Sequence, residues 1–311
     1  MPFLNLGAIV PANRTRTMAE AIRTAEPAQR SAHDARPRLM PQCSNPGCTS
    51  GRLHLWRSRT APVFEGGWCC SAACTRAQVE AALRREMGAR GSGQETHRHR
   101  VPLGLAMLEQ GWITAADLRR ALEAQQRAAG SGRLGQWLVR NGSASEGMVT
   151  RALALQWRCP VLPLDFHDAE TLARLLPRFF LDAYGALPLR VAAEKILYLG
   201  FEDRLDPALA LAVERMTGLR VESGLVEESR FQVAHGRMLE ARFPATELVE
   251  AVSETALARA LVQAIEKLRP VEARLVRVHD CAWLRLWLRA QHGPLPELSA
   301  VRDLIGSIER G

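Results

Sequence analysis

A 24-residue pattern occurs twice, almost back to back, as PLGLAMLEQGWITAADLRRALEAQ from Pro102 to Gln125 and RLGQWLVRNGSASEGMVTRALALQ from Arg133 to Gln156. In register, Leu103-Gly104 falls on Leu134-Gly135, Leu108 on Val139 and Gly111 on Gly142. Further along, Leu118 falls on Val149, Leu122 on Leu153 and Gln125 on Gln156. A duplication with its glycines and glutamines in phase is one structural unit used twice. Leu118, Leu122 and Gln125 are spaced i, i+4, i+7 and share a helix face, as do Val149, Leu153 and Gln156. Thr114 with Asp117 three residues on forms a capping-box pattern, and Ser145 can cap the equivalent second helix. Gly111 and Gly142 stand where a preceding short helix ends, a position that calls for φ > 0. Each copy therefore reads as helix, glycine turn, capped helix, and periodicity by itself implies no more than a four-helix packing unit with a leucine core.

Taken in full, Arg-Leu-Gly, a glycine, then Leu-x3-Leu-x2-Gln resembles a narrower motif: the tandem cyclic di-GMP-binding (MshEN-like) repeat at the N-terminus of type II secretion and type IV pilus assembly ATPases. The resemblance implies that each copy embraces half of the dinucleotide. It assigns Leu103, Gly104, Leu118, Leu122 and Gln125 to the first half-site, and Arg133, Leu134, Gly135, Val149, Leu153 and Gln156 to the second. The first copy departs at Pro102, which has neither charge nor backbone N–H where the second has arginine. A guanidinium fork is the natural partner of a phosphate or of a guanine Hoogsteen edge. Losing one such contact costs about 1.5–3 kcal/mol. Arg98 and Arg100 are the nearest substitutes in the chain. The likeness continues through PVLPLD (Pro160 to Asp165), LARLLPRFFLDAYGALPLR, KILYLGFEDRLDPAL and TGLRVESGLVEESRF, in the order of the second N-terminal subdomain of the same ATPases. Local chemistry agrees. Ile196 to Gly200 is a short β-favouring run, Asp206-Pro207 is an N-cap with proline at N1, and Gly218 ends that helix before a strand at Leu219 to Val221.

No G-x4-G-K-[ST] occurs in the 311 residues, and the two lysines, Lys195 and Lys267, lie outside any glycine-rich loop. A phosphate cradle with its lysine is what an NTPase motor needs. The expectation is therefore a regulatory front end without a motor, and no enzyme.

Upstream, Cys43-x4-Cys48 is followed by WCCSAAC, Trp68 to Cys74, opening a helical run from Arg76 to Met87. Two close cysteine pairs suit tetrahedral zinc, and the arrangement resembles a treble-clef or zinc-knuckle module. Cys70 and Cys74 are one helical turn apart, so Cys43, Cys48, Cys70 and Cys74 are the expected ligands, with Cys69 as packing or an alternative register. Four sulfur ligands leave no open position, so the metal would be structural. Disulfides are the competing reading, disfavoured in a chain without a signal-peptide pattern. Cys159 and Cys281 read as small core residues.

Charge is unevenly spread: residues 1–100 carry 15 basic and 7 acidic side chains, residues 101–311 carry 26 of each, and the excess of +8 lies in the first part. An arginine-rich arm beside a zinc knuckle permits nucleic-acid binding as a rival function. Residues 11–42 lack aromatics and have the composition of disorder, and His97 and His99 fall in a flexible Gly/Ser linker. In the C-terminal part, Thr246 to Leu268 reads as one long amphipathic helix, and Val271 to Val278 and Cys281 to Arg289 as two strands about a turn at His279-Asp280. Trp283, Arg285, Trp287 and Arg289 share one strand face; core tryptophan is favoured over an exposed Trp/Arg docking platform.

The expected fold class is thus α/β (α+β) and helix-rich, with a tandem helical repeat, a small α/β subdomain, an N-terminal zinc module and a C-terminal α+β extension. The expected divisions are a basic tail at 1–40, a zinc module at 41–88, a linker at 89–100, the repeat at 101–157, the α/β subdomain at 158–241 and the extension at 242–311. The expected function is a cytoplasmic, non-enzymatic regulator or adaptor around a secretion or pilus machine, with structural zinc and cyclic di-GMP as ligand. The alternatives are a ligand-free interaction module or a zinc-dependent nucleic-acid binder. No apolar run approaches membrane-spanning length.

Overall fold

In a computed structural model the described residues are 42–49, 62–88, 101–164, 168–291 and 293–309. The basic tail, the 89–100 linker with His97, His99, Arg98 and Arg100, and Asp165 lie outside them. Among the described residues the fold is mixed α+β and helix-rich, with three small sheets. Residues 41–311 make one compact unit.

Chain order begins with a hairpin of β1 (Val63–Phe64) and β2 (Gly67–Trp68), turned through Glu65 and Gly66 at positive φ, and helix α1 (Ala72–Gly88). The repeat follows as α2 (Leu103–Glu109), α3 (Ala115–Arg127), α4 (Leu134–Arg140) and α5 (Glu146–Trp157). Next come α6 (Ala169–Leu172), α7 (Arg178–Tyr184), β3 (Ala186–Ala192), β4 (Ile196–Phe201), α8 (Pro207–Thr217), β5 (Arg220–Leu225) and α9 (Glu228–Glu240). The three strands form a sheet in the order β3-β4-β5, antiparallel then parallel. The predicted signals at α8 hold: Asp206 accepts from the Leu209 N–H at 2.9 Å, Pro207 is the first helical residue, and Gly218 closes the helix at φ 76°.

The C-terminal part differs from expectation. Thr246 to Ala251 is not helical but belongs to β6 (Ala245–Ala251); α10 (Glu254–Leu268) starts only after Ser253, whose hydroxyl accepts from the Ala256 N–H. The reason is tertiary: β6 pairs in parallel with a strand not foreseen from sequence, β9 (Val301–Ile308). With β7 (Glu272–Val278) and β8 (Cys281–Trp287) these form a sheet in the order β6-β9-β8-β7.

The inner strand β8 of that sheet is buried on both faces, while the edge strand β6 is largely exposed. Ala282, Leu284 and Leu286 of β8 share a core with Leu257, Leu261 and Ile265 of α10, and with Phe64, Val79 and Leu83 of the N-terminal module. Trp283 and Trp287 join the larger core of the α/β subdomain, where Trp283 meets the Phe180 ring edge-on at 5.3 Å. The exposed Trp/Arg platform is therefore excluded, since Trp283 and Arg285 are buried. Arg285 is neutralised in place: Nε and Nη2 each donate to Asp303 at 2.8 Å, Nη1 donates to the Leu175 carbonyl at 2.7 Å, and the Trp283 indole also donates to Asp303. Helix α1 is tied to α8 as well, because Arg215 grips the buried Glu86 bidentately at 2.8 and 2.6 Å. Burial would raise the Glu86 carboxyl, but Arg215 and Arg85 outweigh it and hold the group below its usual range.

Breaking one side of a buried pair leaves an uncompensated charge, whereas replacing both sides with apolar groups does not. Asp303→Ala is expected to lose about 3–5 kcal/mol in urea denaturation, and Arg285→Met with Asp303→Leu to recover most of that loss.

Candidate functional site

The repeat folds around a local two-fold that exchanges its copies. Both short helices end alike: Gly111 N–H bonds Leu108 and Trp112 N–H bonds Met107, while Gly142 N–H bonds Val139 and Ser143 N–H bonds Leu138. Gly111 and Gly142 take φ 68° and 69°, completing the 6→1 and 5→2 closure that needs a left-handed residue. Thr114 and Asp117 form the expected capping box, and Ser145 accepts from the Met148 N–H. The Thr114 hydroxyl and N–H, followed by Arg120, draw the Asp117 carboxyl down to about 2.

The Leu-Gly corners interlock. A Cβ on Gly104 would stand 2.6 Å from Leu118 Cδ1 and 3.3 Å from Leu134 Cδ2. A Cβ on Gly135 would stand 2.6 Å from Val149 Cγ1 and 3.5 Å from Leu103 Cδ2. Each corner thus admits the apolar residue of its own second helix and the leucine of the opposite corner. The two glutamines repeat the exchange: Gln125 donates to the Gly132 carbonyl at 2.8 Å, and Gln156 donates to the Val101 carbonyl.

Beside the second corner opens a cavity of about 430 Å³, within the usual range for small-molecule sites. Of the residues assigned from sequence, Leu103, Gln125, Arg133, Leu134, Gly135, Val149 and Leu153 line it. Gly104, Leu118, Leu122 and Gln156 do not; Gly104 and Leu118 pack beneath the first corner, and Leu122 is exposed. Sequence reasoning missed the opposite wall. Glu202 and Asp203 follow β4 and Glu228 opens α9, and all three face Arg133. Arg133 donates to Asp203 at 2.7 Å, to Glu228 at 3.2 Å and to Glu202. Gln136 adds a bond to Glu228 at 2.6 Å, and Glu146 accepts from the N–H and hydroxyl of Ser229. Burial works against the Arg133 charge, but Glu202 and Asp203 more than offset it and push the guanidinium above its ordinary range. The site therefore has an apolar floor, one fully engaged cation and an acidic wall. The acidic pairs in FEDR and VEES were visible in the sequence, yet nothing local says which way they point.

A second site lies at the N-terminal module. The sulfurs of Cys43, Cys48, Cys70 and Cys74 all lie within 4.8 Å of one another. Cys48 and Cys70 are 3.5 Å apart, and Cys70 and Cys74 are 3.6 Å apart. Tetrahedral zinc–thiolate geometry sets sulfur–sulfur separations at about 3.8 Å, so the set fits such an ion, while no described cysteine is in a disulfide. Cys69 turns away to the Ser44 hydroxyl at 3.5 Å. Burial raises the Cys74 thiol, but hydrogen bonds from Ser71 and from the Asn45 amide, the latter at 3.4 Å, bring it below its usual value. In the turn between β7 and β8, His279 meets Asp206 at 2.6 Å and lies tilted against the Tyr184 ring.

Residues 157–244 match the MshEN domain model. The match starts where the second repeat copy ends. The Type IV pilus assembly ATPase PilB of Thermus thermophilus is 31% identical over 136 residues, which are 42% of this chain and 15% of PilB. The chain thus spans a small part of that relative. Solved structures that resemble it include MshE with cdg (28% identity, TM-score 0.34, 45% of this chain and 99% of that one). Another is the N-terminal domain of XpsE (23%, 0.31, 43% and 92%). No helix among the described residues is long and apolar enough to cross a membrane.

The Gly135 corner gives a direct test of the cradle. Its neighbour Val149 is β-branched and cannot swing aside, so Gly135→Ala should destabilise the chain by about 1–3 kcal/mol. Adding Val149→Ala should relieve the overlap, as read by the thermal midpoint of the double variant against Val149→Ala alone.

Proposed function

We propose that this chain is a non-enzymatic, cytoplasmic regulator or adaptor of a secretion or pilus machine, with a tandem repeat that receives cyclic di-GMP and a structural zinc ion held by four cysteines. The observation that carries the reading is the reciprocal interlock of the two Leu-Gly corners beside an apolar-floored cavity containing Arg133. On this reading Leu103, Gly104, Leu118, Leu122 and Gln125 flank one half of the dinucleotide, and Arg133, Leu134, Gly135, Val149, Leu153 and Gln156 the other. Arg133 is the group suited to a phosphate or a guanine edge.

One observation favours a second reading. Arg133 already answers to three carboxylates, and Pro102 supplies no cation on the other side. A dianionic ligand must displace those carboxylates or tolerate their field. If it cannot, the repeat is an interaction module without a small ligand. Calorimetric titration of cyclic di-GMP into three proteins separates the two. The receptor reading expects binding by wild type and about tenfold to a hundredfold weaker binding by Arg133→Ala. It also expects tighter binding by the triple variant Glu202→Gln, Asp203→Asn, Glu228→Gln, in which the arginine is released. No heat from any of the three, each folded and metal-loaded, leaves the interaction module.

For the metal, the expected result is about one zinc per chain in elemental analysis, as a closed four-sulfur site binds one ion. Cys74→Ser should bind little or none and melt at lower temperature, because α1 carries residues of the core it shares with α10. Full zinc content in Cys74→Ser, or none in wild type, would contradict the assignment.

A further inference from the structure

The C-terminal sheet ends on one side in β6, which pairs with β9 and with no other strand among the described residues. Its seven residues run in unbroken register and contain no proline, lysine or arginine. Proline, basic side chains and bulges, which blunt many sheet edges, are thus absent from it. In a strand paired on one side only, alternate backbone N–H and C=O groups face outward unpaired. Two rows of side chains cross the sheet to this edge. On one face Val276, Trp283 and Ile305 stand opposite one another in succession and are 3%, 0% and 4% exposed, and their row ends in Leu248 at 62%. On the other face Leu275, Leu284 and Leu304 are buried, and their row ends in the exposed Glu247. Glu250, exposed as well, shares the face of Leu248. Both rows are core across three strands and lose their cover at the fourth, with a bare leucine at the end of one.

We infer that β6 receives an extended segment of a partner protein as a fifth strand, with basic residues opposite Glu247 and Glu250 and an apolar residue opposite Leu248. Backbone hydrogen bonds along the edge hold such a segment, and its side chains set the selectivity. The apolar residue continues the row that runs from Val276 through Ile305 to Leu248. The two cations answer carboxylates that make no ion pair with a described residue. A second copy of the chain fits less well. Antiparallel self-pairing centred on Leu248 sets Glu247 opposite Val249 and Glu250 opposite Thr246, which brings two more carboxylates to the edge and no cation. None of the residues lining the cavity at Arg133 lies in β6, so this surface is separate from the proposed nucleotide site.

Fluorescence anisotropy of a labelled hexapeptide, Thr-Lys-Val-Val-Lys-Thr, titrated with the full chain tests the inference. Its lysines and valines meet Glu247, Leu248 and Glu250 in either strand direction. Wild type is expected to bind it saturably. Glu247→Lys with Glu250→Lys, keeping the wild-type circular dichroism, is expected to bind about tenfold more weakly. Should that variant fold poorly, modified peptides carry the test on wild type alone. An added strand bonds β6 through alternate amides only. Methylating one alternate set of peptide nitrogens is therefore expected to abolish binding, and methylating the other set to leave it intact. No binding by folded wild type, undiminished binding by the lysine variant, or two methylated peptides that behave alike would overturn the inference. Self-association of wild type that Leu248→Glu abolishes, without uptake of peptide, would assign the edge to a second copy and overturn it equally.

Discussion

Strand β8 has no solvent face. Its alternate residues enter two different cores, and where the alternation places arginine, the charge is cancelled on the spot by Asp303 and capped by the Leu175 carbonyl. A lone buried guanidinium would cost several kcal/mol, so Arg285 requires β9 on one side and the turn after α6 on the other. The α/β subdomain and the C-terminal sheet therefore meet at this side chain, and α10 packs on the other face of the same strand. The N-terminal module is added by Phe64 of β1 with Val79 and Leu83 of α1 on the far face, and by the Glu86–Arg215 pair at the edge. A cysteine-bearing module that reads as a separate bead in the sequence is an integral part of this body.

On that body the repeat sits as a second construction, organised by symmetry. Two glycines without side chains let two leucines cross, and two glutamines each reach the carbonyl preceding the other copy's corner. The symmetry is broken only by what lies outside it. The loop after β4 and the start of α9 cover the second copy, and there the sequence has arginine and glutamine. On the first copy the matching positions hold proline and leucine. The departure of Pro102 from the family pattern is a lost contact.

How much of this was legible in the sequence depends on how local the cause was. Caps and glycine turns depend on a few neighbouring atoms, so Thr114, Ser145, Asp206 and Gly218 could be read directly. That Cys43, Cys48, Cys70 and Cys74 come together was legible for the same reason, and helical spacing distinguished Cys70 from Cys69. The strand at Thr246 was not, because TELVEA is as compatible with an amphipathic helix as with a strand, and only pairing with β9 decides between them. The acidic wall was illegible for a related reason: Glu202, Asp203 and Glu228 lie about 70 to 95 residues from Arg133, and only the fold brings them to it. Trp283 and Arg285 show the ambiguity at its sharpest, since a Trp/Arg strand face suits an exposed platform or a core, and Asp303, eighteen residues on, makes it a core.

If β8 joins the parts into one body, its amides cannot open unless the α/β core and the α10 layer open too. Native-state hydrogen exchange on the full chain reads this directly. Amides of β8, α8 and α10 are expected to exchange together, at the free energy of global unfolding. Exchange of the β8 and α10 amides at a clearly lower free energy, with α8 and the β3-β4-β5 sheet still protected, would mean that the C-terminal sheet is an appendage and not the centre of the fold.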